Sequence, residues 1–171
     1  MKNSIYNKGE QMNKYMNEAK LMAEKNADLN FTEGGPFGAI IVKDGVVVGI
    51  GKNNVLVNND PTAHAEVTAI RNACSNLKTF DLTGCELYTS CYPCPMCLSA
   101  IIWANITKVY YGNTKEDVAD IGFRDDMIYD FIKSIGTENE LKETLNLKQL
   151  DREQTIETFD KFKNQKDKTI Y

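Results

Sequence analysis

Two short segments, far apart in the chain, have to meet at one point if they are to act together. One is Pro61-Thr62-Ala63-His64-Ala65-Glu66 and the other is Pro93-Cys94-Pro95-Met96-Cys97. His64 is the only histidine in the chain. Cys94 and Cys97 stand three apart, so on a helix they occupy neighbouring turns of one face. Pro93 and Pro95 suit the start of that helix and not its interior. His64 and Glu66, two apart, would point in roughly opposite directions on a regular helix. Both can approach one ion only if it lies beyond the helix end. The pattern therefore predicts two helix N-termini, one after Asp60-Pro61 and one after Cys91-Tyr92, converging on a single point. His64 then falls in the first turn of its helix.

One histidine nitrogen and two thiolates make a three-ligand zinc site. Its fourth position is left to water, which separates catalytic from structural zinc. A helix N-terminus and a metal both lower a thiol pKa, so thiolate ligation is chemically easy here. His64, Cys94 and Cys97 are the candidate ligands of one Zn2+ per subunit. Glu66 is the candidate catalytic residue, placed to move the protons of that water. Cys91 extends the cysteines to C-x-x-C-x-x-C, a partial iron–sulfur spacing, but residue 101 is Ile where a fourth cysteine would stand. Cys91 is expected to end a buried strand without binding metal. Cys74 and Cys85 adjoin apolar segments and are expected to be structural. A competing reading is a non-catalytic zinc module, which would recruit a fourth ligand such as Cys91 and have no need of Glu66.

The length of 171 residues suits a single domain with a sizeable core. A net charge of −4 argues against a nucleic-acid partner, because such domains usually carry a basic face. No apolar run approaches the roughly 20 residues of a spanning helix, which argues against a membrane. Residues 1–10 lack the apolar centre of a signal peptide, so the expected location is the cytoplasm. Five cysteines, an odd number, then read as thiols or ligands and not as disulfides.

Hydrophobic spacing predicts the elements between these landmarks. Met12, Tyr15, Met16, Ala19, Met22 and Ala23 recur at three and four residues, giving a helix over 9–27. Residues 38–43 and 46–51 read as strands, joined by Asp44-Gly45 in a type I′ hairpin. Residues 53–59 read as a polar loop. Asp60 as cap and Pro61 in the first turn open a helix running to about 73. Strands follow at 85–90 and 107–111, around a helix at 94–104. Beyond Gly112 the expectation is an acidic loop, a helix at 127–135, a polar connection at 136–143 and a helix at 154–165, which carries Ile156, Phe159 and Phe162 on one face. The order predicts an α/β domain with a central mixed sheet. Residues 1–171 are expected to form one domain with a C-terminal helical tail from about 137.

The chain also resembles the cytidine deaminase superfamily of zinc nucleobase deaminases, over roughly residues 8–135. Its signature is H-x-E followed by P-C-x-x-C. The matching stretches are Gly34-Gly35-Pro36-Phe37-Gly38-Ala39, Asn53-Asn54-Val55, Asn59 through Arg71, Tyr88-Thr89-Ser90-Cys91, and Pro93 through Leu98 with Trp103 beyond. Within the superfamily the likeness is greatest to bacterial guanine deaminases, to which Gly122-Phe123-Arg124-Asp125 adds a further segment. Tyr92 stands where members commonly have Glu, and Arg124 where they have Asp. The resemblance implies a three-layer α/β/α fold and a zinc-dependent hydrolase that turns guanine into xanthine and ammonia. It implies substrate contacts from Asn53, the Ala65 backbone, the Phe37 ring and Asp125. It also implies a small nucleobase as partner and a homodimer. The N-D-P-T-A-H-A-E run is shared with tRNA adenosine deaminases, so a tRNA adenosine or cytosine deaminase is the alternative.

Overall fold

Strand β1 (Gly38–Lys43) is buried on both faces, and that sets the layering. In the computed structural model, which describes residues 12–123, 125–134, 149–150, 152–166 and 169, its side chains divide strictly by parity. Ala39 and Ile41 join Ala65, Ala69, Ala73, Leu87 and Ile101 in one core. Ile40 and Val42 join Ala19 and Tyr88 in another. Alternation of this kind is the period of a pleated strand, and apolar residues at both parities require helices on both sides. Helix α1 (Lys14–Asp28) covers the second core. Helices α3 (Ala65–Leu77) and α4 (Pro95–Trp103) cover the first. The expected three-layer α/β/α arrangement is present.

The sheet runs β2-β1-β3-β4, with β2 at Val46–Lys52, β3 at Glu86–Cys91 and β4 at Lys108–Asn113. β1 pairs antiparallel with β2 and β3, while β3 and β4 are parallel, so the sheet is mixed. Asp44 and Gly45 have φ of 49° and 78°, the two positive values a type I′ turn requires. Helix α3 lies tightly on β2 because Gly49 and Gly51 face it. A Cβ at Gly51 would sit 2.6 Å from the backbone nitrogen of Ala69. Asn72 and Asn76 then donate to the carbonyls of Ile50 and Val48, at 2.7 and 2.9 Å, across the same seam.

Three expectations change. Asp60 does not cap α3: its Oδ1 accepts from Thr62 N–H at 2.8 Å and Thr62 Oγ1 at 2.6 Å, closing a turn of its own that contains Pro61. The helix starts at Ala65, with His64 in extended geometry as the N-cap, and runs on to Leu77. The polar stretch 53–59 holds a short helix, α2 (Val55–Asn58). The acidic stretch after Gly112 holds α5 (Lys115–Asp120), closed by a reciprocal capping box between Thr114 and Asp117. Other ends shift by one or a few residues, as fraying boundaries do.

The chain divides into two compact units, residues 1–125 and 126–171. The second contains nearly all of α6 (Asp125–Ser134) and helix α7 (Arg152–Asn164). The polar connection at 136–143, the expected start of the tail near 137, residues 9–11 of the first expected helix, Ile135 and Arg124 lie outside the described residues. No helix among the described residues is long and apolar enough to cross a membrane.

Candidate active site

Two helix N-termini meet on one side of the sheet. His64 is the N-cap of α3 and Cys94 the N-cap of α4, both with extended ψ, 159° and 166°. An N-cap side chain projects over the end of its helix, toward the unpaired N–H groups and the positive pole of the dipole. Cys97, in the first turn of α4, rises to the same place. The Nδ1 of His64 lies 3.5 Å from Cys94 Sγ and 3.6 Å from Cys97 Sγ. The three ligand atoms all lie within 4.8 Å of one another, the one such group among the described residues. A tetrahedral zinc ion, with Zn–S near 2.3 Å and Zn–N near 2.0–2.1 Å, sets its nitrogen and sulfur ligands about 3.6 Å apart. The donor set and its spacing therefore fit zinc, presented through Nδ1.

The thiols already differ before any metal is considered. Cys94 is held down to about 4, first by a hydrogen bond from Cys97 and then by His64. Cys97 is pushed up, chiefly by its interaction with the Cys94 thiol and by burial. His64 is raised chiefly by Cys94, against the opposing effect of burial. Cys91, the last residue of β3, is also pushed up, by burial first and the charge of Glu66 second. It stands outside the ligand group.

Glu66 is buried at the start of α3, and burial lifts its carboxyl above the usual range. Its two oxygens have separate partners. Oε1 accepts from the hydroxyl of Thr89 at 2.9 Å, and Oε2 accepts from Cys97 Sγ at 3.4 Å. Thr89, wholly buried on β3, thus aims the carboxylate at the ligand group. Sequence reasoning missed Thr89. Its signals were a place in the matching stretch Tyr88-Thr89-Ser90-Cys91 and a hydroxyl at a buried position of a strand.

Beside this corner is a cavity of about 20 Å³, lined by Phe37, Asn53, His64, Glu66, Cys91, Tyr92, Cys94, Phe123 and Asp125. That is room for about one water molecule. Phe37, Asn53 and Asp125 thus reach the ligand corner. Ala65 does not line the cavity; it is the fully buried first residue of α3, between His64 and Glu66. Phe37 and Phe123 close one wall edge to face, with centroids 4.8 Å apart at 79°. Gly35 makes that closure possible, since a Cβ there would lie 2.7 Å from Phe37 and 2.8 Å from Phe123. Phe123 also lines an outer, mostly apolar cavity of about 460 Å³ with Phe31, Leu56 and Ile121. Tyr92 packs edge to face on Tyr111, with centroids 5.0 Å apart.

A metal-ligand triad with both cysteines buried, beside a buried carboxylate at paired helix ends of a three-layer fold, defines a class of hydrolytic site. The chain belongs to the family of the cytidine and deoxycytidylate deaminase zinc-binding region, which matches residues 9–113. The metal of this family is zinc. A guanine deaminase of Bacillus subtilis is 59% identical over 96 residues, which are 56% of this chain and 62% of that protein. A tRNA-specific adenosine deaminase of Aquifex aeolicus is 49% identical over 76 residues, 44% of this chain and 50% of that protein. The matches thus span between half and two thirds of the length of these curated relatives. The X-ray structure of guanine deaminase from Bacillus subtilis matches with a TM-score of 0.83 at 42% identity, covering 94% of this chain and 99% of that one. A structure of guanine deaminase from Nitrosomonas europaea matches with a TM-score of 0.60 at 29% identity, covering 75% and 69%.

Proposed function

We propose that this chain hydrolyses the exocyclic amine of guanine, giving xanthine and ammonia. The observation that carries the reaction type is Glu66: a buried carboxylate held by the Thr89 hydroxyl beside the group of three metal ligands. The choice of guanine is supported by the two guanine deaminases that this chain resembles and by Asp125 at the cavity.

His64, Cys94 and Cys97 would hold the zinc ion. Bound zinc supplies Lewis acidity that brings the pKa of water to about 7. Glu66 takes a proton from the attacking water and gives it to a ring nitrogen of the base. It then takes the second proton from the hydroxyl now on the ring carbon and passes it to the departing amine, so the C–N bond breaks, ammonia leaves and a carbonyl oxygen stands in its place. Burial suits Glu66 to this exchange, because a carboxyl lifted toward neutral pH both accepts and returns a proton readily. Asn53 donates to the purine edge and the Ala65 backbone contacts the base. Phe37 packs on the ring face. Asp125 accepts from the ring N–H and amino group. A purine is larger than the 20 Å³ beside the ligands, so its binding displaces side chains of the Phe37, Phe123 and Asp125 wall.

We read the chain as one deaminase domain with a C-terminal helical tail, acting in the cytoplasm as a homodimer. Ile102 and Trp103, 72% and 65% exposed at the end of α4, support a surface of association. Ammonia release measured across guanine, adenine, cytosine, their nucleosides and tRNA tests the choice of substrate. Release from guanine at least tenfold faster than from the others supports it; release from adenosine in tRNA alone replaces it.

A further inference from the structure

We propose that Asn26, on α1, is a positioning residue for the base-recognising wall, acting through Asn53; this rests on the deaminase reading above. Asn26 is completely buried, although its neighbours on the inward face of α1, Ala19, Met22 and Ala23, are apolar. It does not line the cavity. The ends of its amide are assigned by chemistry. Lys52 Nζ has only hydrogens to give and lies 3.1 Å from one end, which is therefore the acceptor Oδ1. The other end lies 2.8 Å from the carbonyl of Gly35 and 2.7 Å from the carbonyl of Asn53, so it is the donor Nδ2. Both of its hydrogens are spent on main chain, that of Asn53 in the cavity wall and that of Gly35 behind Phe37 and Phe123.

Asn53 is tied a second time. Its own Oδ1 accepts from the N–H of Gly35 at 3.3 Å and of Val55 at 3.2 Å. With the oxygen so engaged, Nδ2 is the end of Asn53 left to face a base, and it can only donate. A purine acceptor such as the 6-oxo group of guanine matches that end. Asn26 thus fixes the main chain on both sides of this contact, and the Lys52–Glu33 ion pair holds Asn26 in turn. Neither an acidic nor an apolar residue of similar size replaces it: aspartate would set a carboxylate against two carbonyls, and leucine would leave the Asn53 carbonyl without its donor.

The test compares Asn26→Asp, Asn53→Ala and the double variant in the full-length zinc-loaded protein. It records kcat, KM, bound zinc, and amide hydrogen exchange at Gly35 and Val55. Asn26→Asp is expected to keep its zinc and to lose about ten- to a hundredfold in kcat/KM on guanine, mostly through KM. Exchange at Gly35 and Val55 is expected to accelerate. The double variant is expected to match Asn53→Ala within about twofold, because the two residues act in series. Independent, multiplying losses in the double variant would overturn the proposal, as would unchanged exchange at Gly35 and Val55. If Asn26→Asp does not fold, Lys52→Met removes the group that holds Oδ1 and is expected to accelerate the same two amides; no change there also overturns the proposal. Exchange is read without substrate. A wild-type protein inert toward guanine therefore sinks the substrate assignment and leaves this inference to be judged separately.

Discussion

The metal corner and the base-facing wall share one small cavity but are built differently. In the corner, backbone geometry does the placing. His64 and Cys94 cap two helices, and Cys97 and Glu66 follow within the first turns. In the wall, side chains place one another. Asn26 holds the main chain around Gly35 and Asn53, while Phe37 and Phe123 lean on each other over Gly35. The corner is therefore stiff and local, and the wall is assembled from residues scattered over the sequence. Changes in the first should strike the chemistry, and changes in the second should strike the choice and affinity of the base.

The largest effect is expected from Cys97→Ala. It removes one of the three ligands, so bound zinc by elemental analysis and ammonia release should vanish together. Full activity without zinc would break the assignment of the corner. Next comes Glu66→Gln, which keeps size and burial but cannot carry a proton. Zinc should stay near one per chain while kcat falls by about 10²–10⁴. A fall below tenfold would remove Glu66 from its role. On the wall, Asp125→Ala should leave zinc and folding intact and cost about 1.5–3 kcal/mol in kcat/KM for guanine, the worth of a hydrogen bond to a charged group. Equal losses on guanine and on cytosine would show that Asp125 does not select the base. The smallest effect is expected from Phe123→Leu. It forfeits an edge-to-face contact worth about 0.5–1.5 kcal/mol, so KM should rise by about two- to tenfold with kcat unchanged. A drop in kcat alone would blur the division between corner and wall.

The same contrast explains what could be read without a structure. H-x-E and P-C-x-x-C put two pairs of groups at fixed offsets, and short offsets translate directly into geometry once a helix end is inferred. The mixed sheet followed from the order of helices and strands, and the three layers from the family resemblance; the structure supplies the physical reason in β1, whose apolar residues at both parities take a covering layer on each side. Asp60 misled because a residue that caps helices also closes turns, and Thr62 claims it locally. Helix α5 was missed although Thr114 and Asp117 stand at capping-box spacing. Asn26 left a trace too, as a polar residue at helical spacing behind Ala19, Met22 and Ala23. Nothing in the sequence linked it to Gly35 or Asn53, because that link is made only when α1 docks on the sheet. Phe123 lay inside a recognised segment, yet its partner Phe37 is far away in the chain.

Main-chain contact between α3 and β2 at Gly49 and Gly51 has a consequence for how such a protein can change over time. His64 and Glu66 ride on a helix seated against bare backbone, so no repacking of side chains can retune their position. Any shift there disturbs the core of the sheet at once. The reactive centre is consequently inherited whole or lost whole. Phe123 and Asp125 meet the cavity through their side chains, so new bases can be sampled there while the chemistry stays fixed.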